Sequence, residues 1–379
     1  MRKLGPILAV VLFVDAALFG ALIPLLPELR DDLELDKTGA GLLFGAFGAG
    51  ALLAGVPAGL LVQRIGPRRT VMAGLAVLSA ASLAFALAGD PVTLGLSRFA
   101  QGVSSVATWS GGLAWISVAT PRERRGQALG TAYGIAVFGF VTGPVIGAAA
   151  RETSIGAVFG TLGGLAVALT LLVRACPEPP AESSRPGAIR RALADPRFLA
   201  GLWLSFLPAL FFGVLDVLAT LDLDDAGWGG FAVAGVFVAA GAIEALANPA
   251  AGRVSDRHGR LLPVRVGLAG AIAVAALLAA IDGAWIVAAL ILAGALVFGG
   301  LYTPGMALVA DRAERAGLGQ GLGFGLSNTV WAAGAAIGPF AGAATAEATA
   351  DAVPYATLAV LAAVTLAVLS SRTAGSPAR

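Results

Sequence analysis

Two motifs each occur twice in this chain, and the copies lie about half a chain apart. A basic segment that starts at Gly59 and includes Gly66 recurs at Gly252 and Gly259, a shift of 193 residues. A glycine-proline segment recurs after a shift of 195 residues, as Gly143-Pro144-x-x-Gly147 and Gly338-Pro339-x-x-Gly342. Because the surroundings of both motifs are apolar, the repetition predicts a chain built from two related halves.

Apolar runs long enough to cross a membrane lie between these motifs. Hydrophobic residues make up 58% of the chain and charged residues only 13%, far from the balance of a soluble domain. A spanning helix needs about 20 apolar residues at a rise of about 1.5 Å each, and the sequence predicts twelve such spans. They lie near Leu4–Leu29, Thr38–Val62, Thr70–Ala88, Pro91–Ala119, Gly126–Ala150, Ile155–Val173, Phe198–Leu221, Gly229–Val254, Leu262–Ile281, Ala284–Ala310, Gly319–Ala346 and Ala352–Ser370.

The one long polar connection separates the sixth predicted span from the seventh. It runs from Arg174 to Arg197 and contains Pro177, Pro179, Pro180 and Pro186, a composition typical of a linker. We therefore predict a first half at 1–174, a cytoplasmic linker at 175–197 and a second half at 198–379. Within the linker, Ala188–Leu193 is predicted to form a short helix on the inner membrane surface. Cys176 is the only cysteine, so an intrachain disulfide is excluded.

The basic segment and its copy resemble those of the major facilitator superfamily, whose two halves of six helices each carry such a segment. The resemblance implies an all-α membrane protein with 12 transmembrane helices in two pseudo-symmetric halves. The motif Gly143-Pro144-x-x-Gly147 in the fifth span is similar to that of the drug/proton antiporter branch. Here it is followed by Ala148 in place of a second glycine, and it is repeated in the eleventh span.

Basic residues concentrate at one end of the predicted spans. With the N-terminus inside, the outer loops hold only Arg30, Lys37 and Arg151, and Arg98 lies within a span. All but these four of the 25 Lys and Arg residues then face the cytoplasm. This bias follows the positive-inside rule and predicts that both termini are cytoplasmic, in a multi-pass protein of the cell (inner) membrane.

Several chemistries are disfavoured by what the sequence lacks. Lys3 and Lys37 are the only lysines, and neither follows a glycine-rich loop that could bind ATP. The single histidine, His258, is predicted to lie in a cytoplasmic loop, so neither a metal site nor an intramembrane hydrolase is expected. The pI near 9.0 fits loops that face anionic lipid rather than a nucleic-acid surface. We therefore predict no enzyme activity and no cofactor.

Four charged residues lie inside predicted spans, where each costs about 2.5–3.5 kcal/mol at the bilayer centre. These residues are Asp15, Arg98, Asp216 and Glu244. Asp15 followed by Pro24-x-x-Pro27 resembles vesicular monoamine transporters and bacterial multidrug antiporters. The segment Arg98-Phe99-Ala100-Gln101-Gly102 resembles the fourth-helix motif of the same antiporters, where the arginine lies near the proton site.

We accordingly predict that Asp15, Arg98 and Glu244 couple transport to protons, with Asp15 as the carrier. For Asp15 and Glu244 the alternative is a fixed structural pair, and for Arg98 it is a helix-packing hydrogen bond. Asp216 is either a substrate contact or a residue that reaches the acidic outer rim. Six residues are predicted to contact substrate, although aromatic residues in spans commonly pack against helices or lipid instead. They are Gln101, Trp109, Asp216, Tyr302, Asn328 and Trp331.

The repeated motifs supply the predicted gating residues. They are Gly59, Gln63, Arg64, Gly66, Arg68, Gly143, Pro144, Gly147, Gly252, Asp256, Arg257, Gly259, Arg260, Gly338, Pro339 and Gly342. The family pattern has an acid at the position of Gln63, facing the positive end of the eleventh helix dipole. We expect the loss of this charge to leave a cytoplasmic latch resting on Asp256 and Arg257, with Arg260, Arg122, Arg124 and Arg125, and to favour an inward-open protein.

The resemblance and the charges together predict a proton-coupled exporter of a small amphipathic or weakly cationic compound. Three acids against one arginine inside the spans disfavour organic anions and phosphate. The alternative is a proton-linked or facilitative importer of a sugar or other nutrient. A third class is a non-transporting receptor or a lipid scramblase. The expected partners are the substrate, protons and the lipid bilayer, and the protein is expected to act as a monomer.

Overall fold

The chain is described by a computed structural model that covers residues 4–120, 122–178, 187–258 and 261–374. The side chains left out within these ranges are those at 122–127, 129–130, 133, 248–258, 299–300, 302–303, 306–307, 310, 320–321, 324 and 371–374. Twelve long helical stretches follow one another in the described residues. They are α1 (Leu4–Asp32), α2 (Lys37–Ile65), α3 (Pro67–Leu87), α4 (Pro91–Ala119), α5 (Arg122–Glu152), α6 (Ile155–Arg174), α7 (Pro196–Asp225), α8 (Gly230–His258), α9 (Leu261–Ala280), α10 (Ala284–Ala316), α11 (Gln320–Ala348) and α12 (Ala352–Ala374).

Fewer than twelve of these helices are long and apolar enough, within the described residues, to cross a membrane. Nine helical stretches in the described residues are long and apolar enough to cross a membrane. Helices α4, α10 and α11 fall outside this set, and among the described residues α10 contributes a shorter apolar segment, Ala284–Phe298. Helix α4 carries Arg98, Gln101 and several serines, which lower its hydropathy. The predicted all-α membrane fold is confirmed, whereas the count of twelve spans remains a prediction.

Helix α1 is interrupted near its outer end. Its α-helical parts, Leu4–Ala21 and Leu26–Asp32, are joined by a 3-10 turn at Ile23–Leu25. The sequence predicts Leu4–Leu29 as one span, but Pro24 and Pro27 lie at this junction and interrupt it. Proline removes a helix hydrogen bond and clashes with the preceding turn, which explains the break.

Polar caps and a glycine turn determine where the helices begin and end. Asp36, Asp90 and Ser154 each accept a hydrogen bond from the backbone N–H three residues later, at the starts of α2, α4 and α6. Gly66 joins α2 to α3 with a φ of 88°, a backbone conformation that favours glycine. Helix α8 continues beyond the predicted span, which ends at Val254, as far as His258. The second basic segment, predicted to lie in a loop, is therefore helical up to and including His258.

Helix contacts repeat with a shift of six helices. Before the linker, α1 packs on α5, α2 and α3 pack on α4, and α3 packs on α6. After the linker the matching pairs are α7 with α11, α8 and α9 with α10, and α9 with α12. For description we call α1–α6 the first half and α7–α12 the second half. The halves meet mainly where α2 packs on α11 and α5 packs on α8.

Glycine rows allow two of these pairs to pack backbone to backbone. A methyl group added at Gly143 of α5 would lie 2.6 Å from the Ala17 carbonyl oxygen of α1. One added at Gly338 of α11 would lie 2.5 Å from the Leu210 carbonyl oxygen of α7. The same helix pairs approach closely at Gly139, Gly147, Gly334 and Gly342. The repeated glycines are therefore packing seams within each half, and the prolines beside them, at 144 and 339, lie inside continuous helices.

The predicted linker helix is present at Ala188–Leu193. Its buried face, Ala188 and Ala192, packs against the inner ends of α7, α10 and α11. The Arg191 guanidinium donates to the carbonyl oxygen of Ala316 at the end of α10, at 3.1 Å from Nη2. The linker helix is therefore docked on the second half.

Candidate functional site

Asp15 is the buried acid of the first half, with only 2% of its surface exposed. Its carboxylate oxygen Oδ2 accepts a hydrogen bond from the Ser105 hydroxyl at 2.6 Å and from the Trp109 indole N–H at 2.7 Å. Both donors belong to α4, so the acid on α1 is held by the neighbouring helix. Hydrogen bonds to a carboxylate stabilise its charged form, whereas burial favours the neutral form.

Arg98 lies on α4, about two helical turns before Ser105, and is fully buried. Its Nη1 donates to the Leu18 carbonyl oxygen of α1 at 3.3 Å and to Gln101 Oε1 at 2.8 Å. The guanidinium carbon lies 5.0 Å from the centre of the Phe47 ring, within range of a cation–π interaction. Within the described residues, Nε and Nη2 of Arg98 and Nε2 of Gln101 are buried without a hydrogen-bond partner. The arginine is thus only partly satisfied by its surroundings.

One face of α4 carries all of these polar groups. Arg98, Gln101, Ser105 and Trp109 follow one another at intervals of three or four residues, which places them on the same side of a helix. Ser105 was not among the predicted site residues. Its position four residues after Gln101 and four before Trp109 was the available signal. Within the described residues Asp15 and Arg98 form no ion pair. Instead, Asp15 contacts Ser105 and Trp109, which lie on the same face of α4 as Arg98.

An aromatic cluster closes this site towards the second half. The Phe19 ring of α1 contacts the rings of Phe44 and Phe47 of α2 and of Phe140 of α5 at centroid distances of 4.9–5.9 Å. Trp331 of α11 reaches the same ring from the second half at 5.6 Å. The predicted substrate contact Trp331 therefore lies at the interface between the halves, and Phe19 separates it from Phe47, the ring beside Arg98.

The second half holds two acids of its own. Asp216 on α7 is 4% exposed, so it does not reach the outer rim as one interpretation predicted. Its electrostatic neighbour is Glu244 on α8, which is half-buried. The sequence did not pair these two carboxyl groups. On α11, Asn328 is half-buried, and its Nδ2 has no hydrogen-bond partner among the described residues.

Several predicted residues lie outside what the structure describes. Gly259 and Arg260 are outside the described residues, and the side chains of Tyr302, Asp256 and Arg257 are likewise outside them, as are Gly252, Arg122, Arg124 and Arg125. The predicted latch on the cytoplasmic side therefore remains a prediction.

The first basic segment contacts the start of the linker. Arg68 donates to the Cys176 carbonyl oxygen at 3.0 Å and to the Glu178 carboxylate at 2.8 Å, and Arg69 lies 3.6 Å from Glu178. Glu178 was not predicted to have a role. Gln63 is half-buried and lines a cavity beside the linker helix, whereas Arg64 is exposed. The arginines of this segment thus hold the linker against the first half.

The opposite end of the molecule is joined by ion pairs between the halves. Arg30 of α1 lies 3.0 Å from Asp225, and Arg151 of α5 lies 3.1 Å from Asp224, both at the end of α7. Lys37 of α2 donates to both carboxylate oxygens of Asp351, at 2.6 and 2.7 Å. Close by, Thr38 donates to the Glu347 carboxylate from its N–H and its hydroxyl, at 2.7 and 2.6 Å. The three cations predicted to face outward therefore all pair with acids of the second half.

Comparisons with known proteins agree with this architecture. The chain is 28% identical over 170 residues to the MFS-type transporter ppzB of Metarhizium rileyi (strain RCEF 4871), a match that covers 43% of this chain and 35% of that protein. It is 29% identical over 157 residues to the quinolone resistance protein NorA of Staphylococcus aureus (strain Mu50 / ATCC 700699), covering 41% of this chain and 40% of NorA. The matches thus span well under half the length of these relatives.

Similarity to solved structures extends over the full chain. The crystal structure of a bacterial homologue of the human lysosomal transporter Spinster, inward-facing and unoccupied, superposes with a TM-score of 0.78 at 16% identity, covering 100% of this chain and 99% of that one. A sequence profile of the Major Facilitator Superfamily matches residues 8–339. The repeated motifs, the all-helical fold and this match lead to one conclusion: the chain belongs to the Major Facilitator Superfamily.

Proposed function

We propose that the chain exports a small amphipathic or weakly cationic compound in exchange for protons. Membership of the superfamily makes it a multi-pass membrane transporter of small molecules rather than an enzyme. The coupling ion, the direction of transport and the substrate class are the parts that we propose. We also propose that it works as a monomer in the cell membrane with both termini cytoplasmic, as the positive-inside bias predicts.

The arrangement around Asp15 carries the proposal. Asp15 is 2% exposed and is held by Ser105 and Trp109. Because a carboxylate inside a membrane span is costly, its presence there supports a role in carrying charge during transport. The hydrogen-bond partners of Asp15 are neutral donors, and Arg98 interacts with it through space without a direct ion pair. These features suit a group that is loaded and unloaded during each cycle.

The charges inside the spans support a cationic or neutral substrate. Asp15, Asp216 and Glu244 outnumber Arg98. The Trp109 indole contacts Asp15, and Trp331 adds an aromatic ring at the interface between the halves. Aromatic faces and carboxylates together attract organic cations. The name of NorA, a quinolone resistance protein, is consistent with export, although the match is partial.

Replacing Asp15 with asparagine tests the proposal. In proteoliposomes, the protein should move ethidium, a lipophilic cation, when a proton gradient is imposed, and Asp15→Asn should abolish this gradient-driven movement. Ethidium should still quench the fluorescence of the Asp15→Asn protein, because binding depends less on the exchangeable proton than transport does. Asp282→Asn, which removes an exposed acid outside the site, should transport as the original protein does.

The same assay separates the alternative function. If labelled glucose is taken up down or against its gradient while ethidium is not moved, the chain is an importer of a nutrient. If Asp15→Asn transports against a gradient at the normal rate, the proton carrier lies elsewhere, with Glu244 as the next candidate.

A further inference from the structure

Two cavities follow one another along the seam where α2 meets α11. The first, about 700 Å³ in volume, lies at the linker side of the molecule and is lined by Leu60, Gln63, Arg190, Leu193 and Leu322, with neighbouring linker residues. The second, about 350 Å³, lies deeper along the same helices and is lined by Leu52, Leu199, Trp203, Phe206, Val330 and Ala333, among others. Asp15, Arg98 and the residues that contact them line neither cavity, whereas the predicted gating residue Gln63 lines the first.

The helical register aligns the two cavities along one side of the α2–α11 seam, and we refer to them together as the groove. On α2, Leu52 and Leu60 are eight residues apart, which places them on one helix face about 12 Å apart. On α11, Leu322 and Val330 have the same spacing. A groove of about 12 Å matches an acyl chain in one leaflet, since the whole hydrocarbon core is about 30 Å thick.

The two ends of the groove differ in chemistry. Arg190 of the linker helix is the one charged side chain among the described residues that line it, and it lies at the linker end. The neighbouring Arg191 is engaged with the Ala316 carbonyl oxygen. The deeper part is lined by apolar side chains and one threonine. A ligand that fits this distribution has an anionic head and an apolar tail.

The groove faces the membrane rather than the interior of the transporter. Its rim residues remain exposed, with Leu60 at 36%, Leu193 at 43% and Leu199 at 46%. Behind it, α2 and α11 are in direct contact at Gly55 and Thr329, which separates the groove from the Asp15 site. A molecule in the groove therefore comes from the surrounding leaflet.

We infer that this groove binds an anionic phospholipid, with the phosphate beside Arg190 and one acyl chain against α2, α7 and α11. The groove is built from the first half, the linker helix and the second half together. A bound lipid therefore contacts both halves at a seam whose helix contacts change when the halves move relative to each other. We expect such a lipid to stabilise the arrangement of the halves seen here.

Lipid-dependent thermal stability of the purified full chain in detergent tests this inference. Phosphatidylglycerol should raise the melting temperature at lower concentrations than phosphatidylcholine with the same acyl chains, because ligands that bind the native state stabilise it. Glycerol 3-phosphate, which carries the phosphate without the tails, should have no effect. Arg190→Gln should require about fivefold more phosphatidylglycerol for the same shift, the effect of about 1 kcal/mol per basic residue.

Two further variants make the result decisive. Arg174→Gln removes an exposed cation from the same end of the molecule outside the groove and should leave the lipid response unchanged. Ala333→Phe fills the deeper part and should reduce the number of phospholipids retained in native mass spectrometry, even if its melting temperature differs. The inference is overturned if both lipids act equally, if Arg174→Gln and Arg190→Gln lose the response equally, or if glycerol 3-phosphate alone stabilises.

Discussion

A contribution to stability does not explain why Arg98 is buried. It has no exposed surface, yet two of its three nitrogens have no hydrogen-bond partner among the described residues. Its contacts with Leu18, Gln101 and Phe47 satisfy it only partly. Burial of an incompletely paired charge costs free energy, so a purely structural role for this arginine is poorly supported. A group that changes partners during transport would have such surroundings in one of its states.

Substituting Arg98 separates the two roles. Arg98→Met removes the buried charge and keeps much of the apolar stem, so we expect the melting temperature to stay the same or rise. Transport should fall at least about tenfold, equivalent to about 1.4 kcal/mol. A melting temperature that drops by many degrees while ethidium transport continues would assign Arg98 to helix packing alone.

Close helix packing in each half depends on glycine at a few positions. Gly143 on α5 and Gly338 on α11 face carbonyl oxygens of α1 and α7, and these are backbone atoms that cannot rotate away. The repeated motif thus marks the same helix pair in both halves. This contact sets the distance between the helices that carry Asp15 and Asp216 and their packing partners.

Gly143→Ala should destabilise the protein by about 1–3 kcal/mol, because the added methyl group overpacks the seam. Gly134→Ala on the same helix is the matched control, since no atom lies within 4 Å of the added group. That variant should be neutral or stabilising by up to about 1 kcal/mol, the helix-propensity difference. Thermal denaturation in detergent measures both, and equal effects would mean that the seam does not limit packing.

Ion pairs between the halves close one end of the whole molecule. The three cations predicted to face outward, Arg30, Lys37 and Arg151, all contribute, each with an acid of the second half. Pairs that are partly exposed contribute about 0–1 kcal/mol each, so their effect depends on acting together. They hold closed the end opposite the linker, and salt should weaken them.

Neutralising these cations should therefore open that end. We expect Arg30→Gln, Lys37→Gln and Arg151→Gln combined to shift the balance between closed and open states by about 5–30-fold, equivalent to about 1–2 kcal/mol. Spin labels at Thr153→Cys and Ala226→Cys, in a Cys176→Ser background, would report the distance between the halves at this end. Arg174→Gln at the opposite end is the control, and an unchanged distance distribution in the triple variant would rule out the ionic closure.

The orientation of the molecule is also testable. Cysteine at Arg64 and at Arg257, on the Cys176→Ser background, should resist a membrane-impermeant thiol reagent in intact cells. Ala226→Cys, at the end closed by the ion pairs, should react. Labelling of either arginine position from outside would contradict the predicted topology.

The class of fold could be predicted from the sequence alone. Apolar runs, the distribution of basic residues and the two repeated motifs depend on local composition and spacing, which can be recognised without a structure. The break at Pro24 and the turn at Gly66 also have local causes, because proline and glycine restrict or permit backbone conformations at their own positions. Asp15 and Arg98 stood out because charges in apolar spans are costly.

Which groups meet depends on how the helices pack and could not be predicted from the sequence. The hydrogen bonds of Ser105 and Trp109 to Asp15, the partnership of Asp216 with Glu244, and the pairing of Lys37 with Asp351 join residues 28 to 314 positions apart. Local pattern carries no information about such contacts, since they depend on how helices pack rather than on how each helix forms. The same holds for Arg190, whose place beside an apolar groove follows from the docking of the linker helix on the second half.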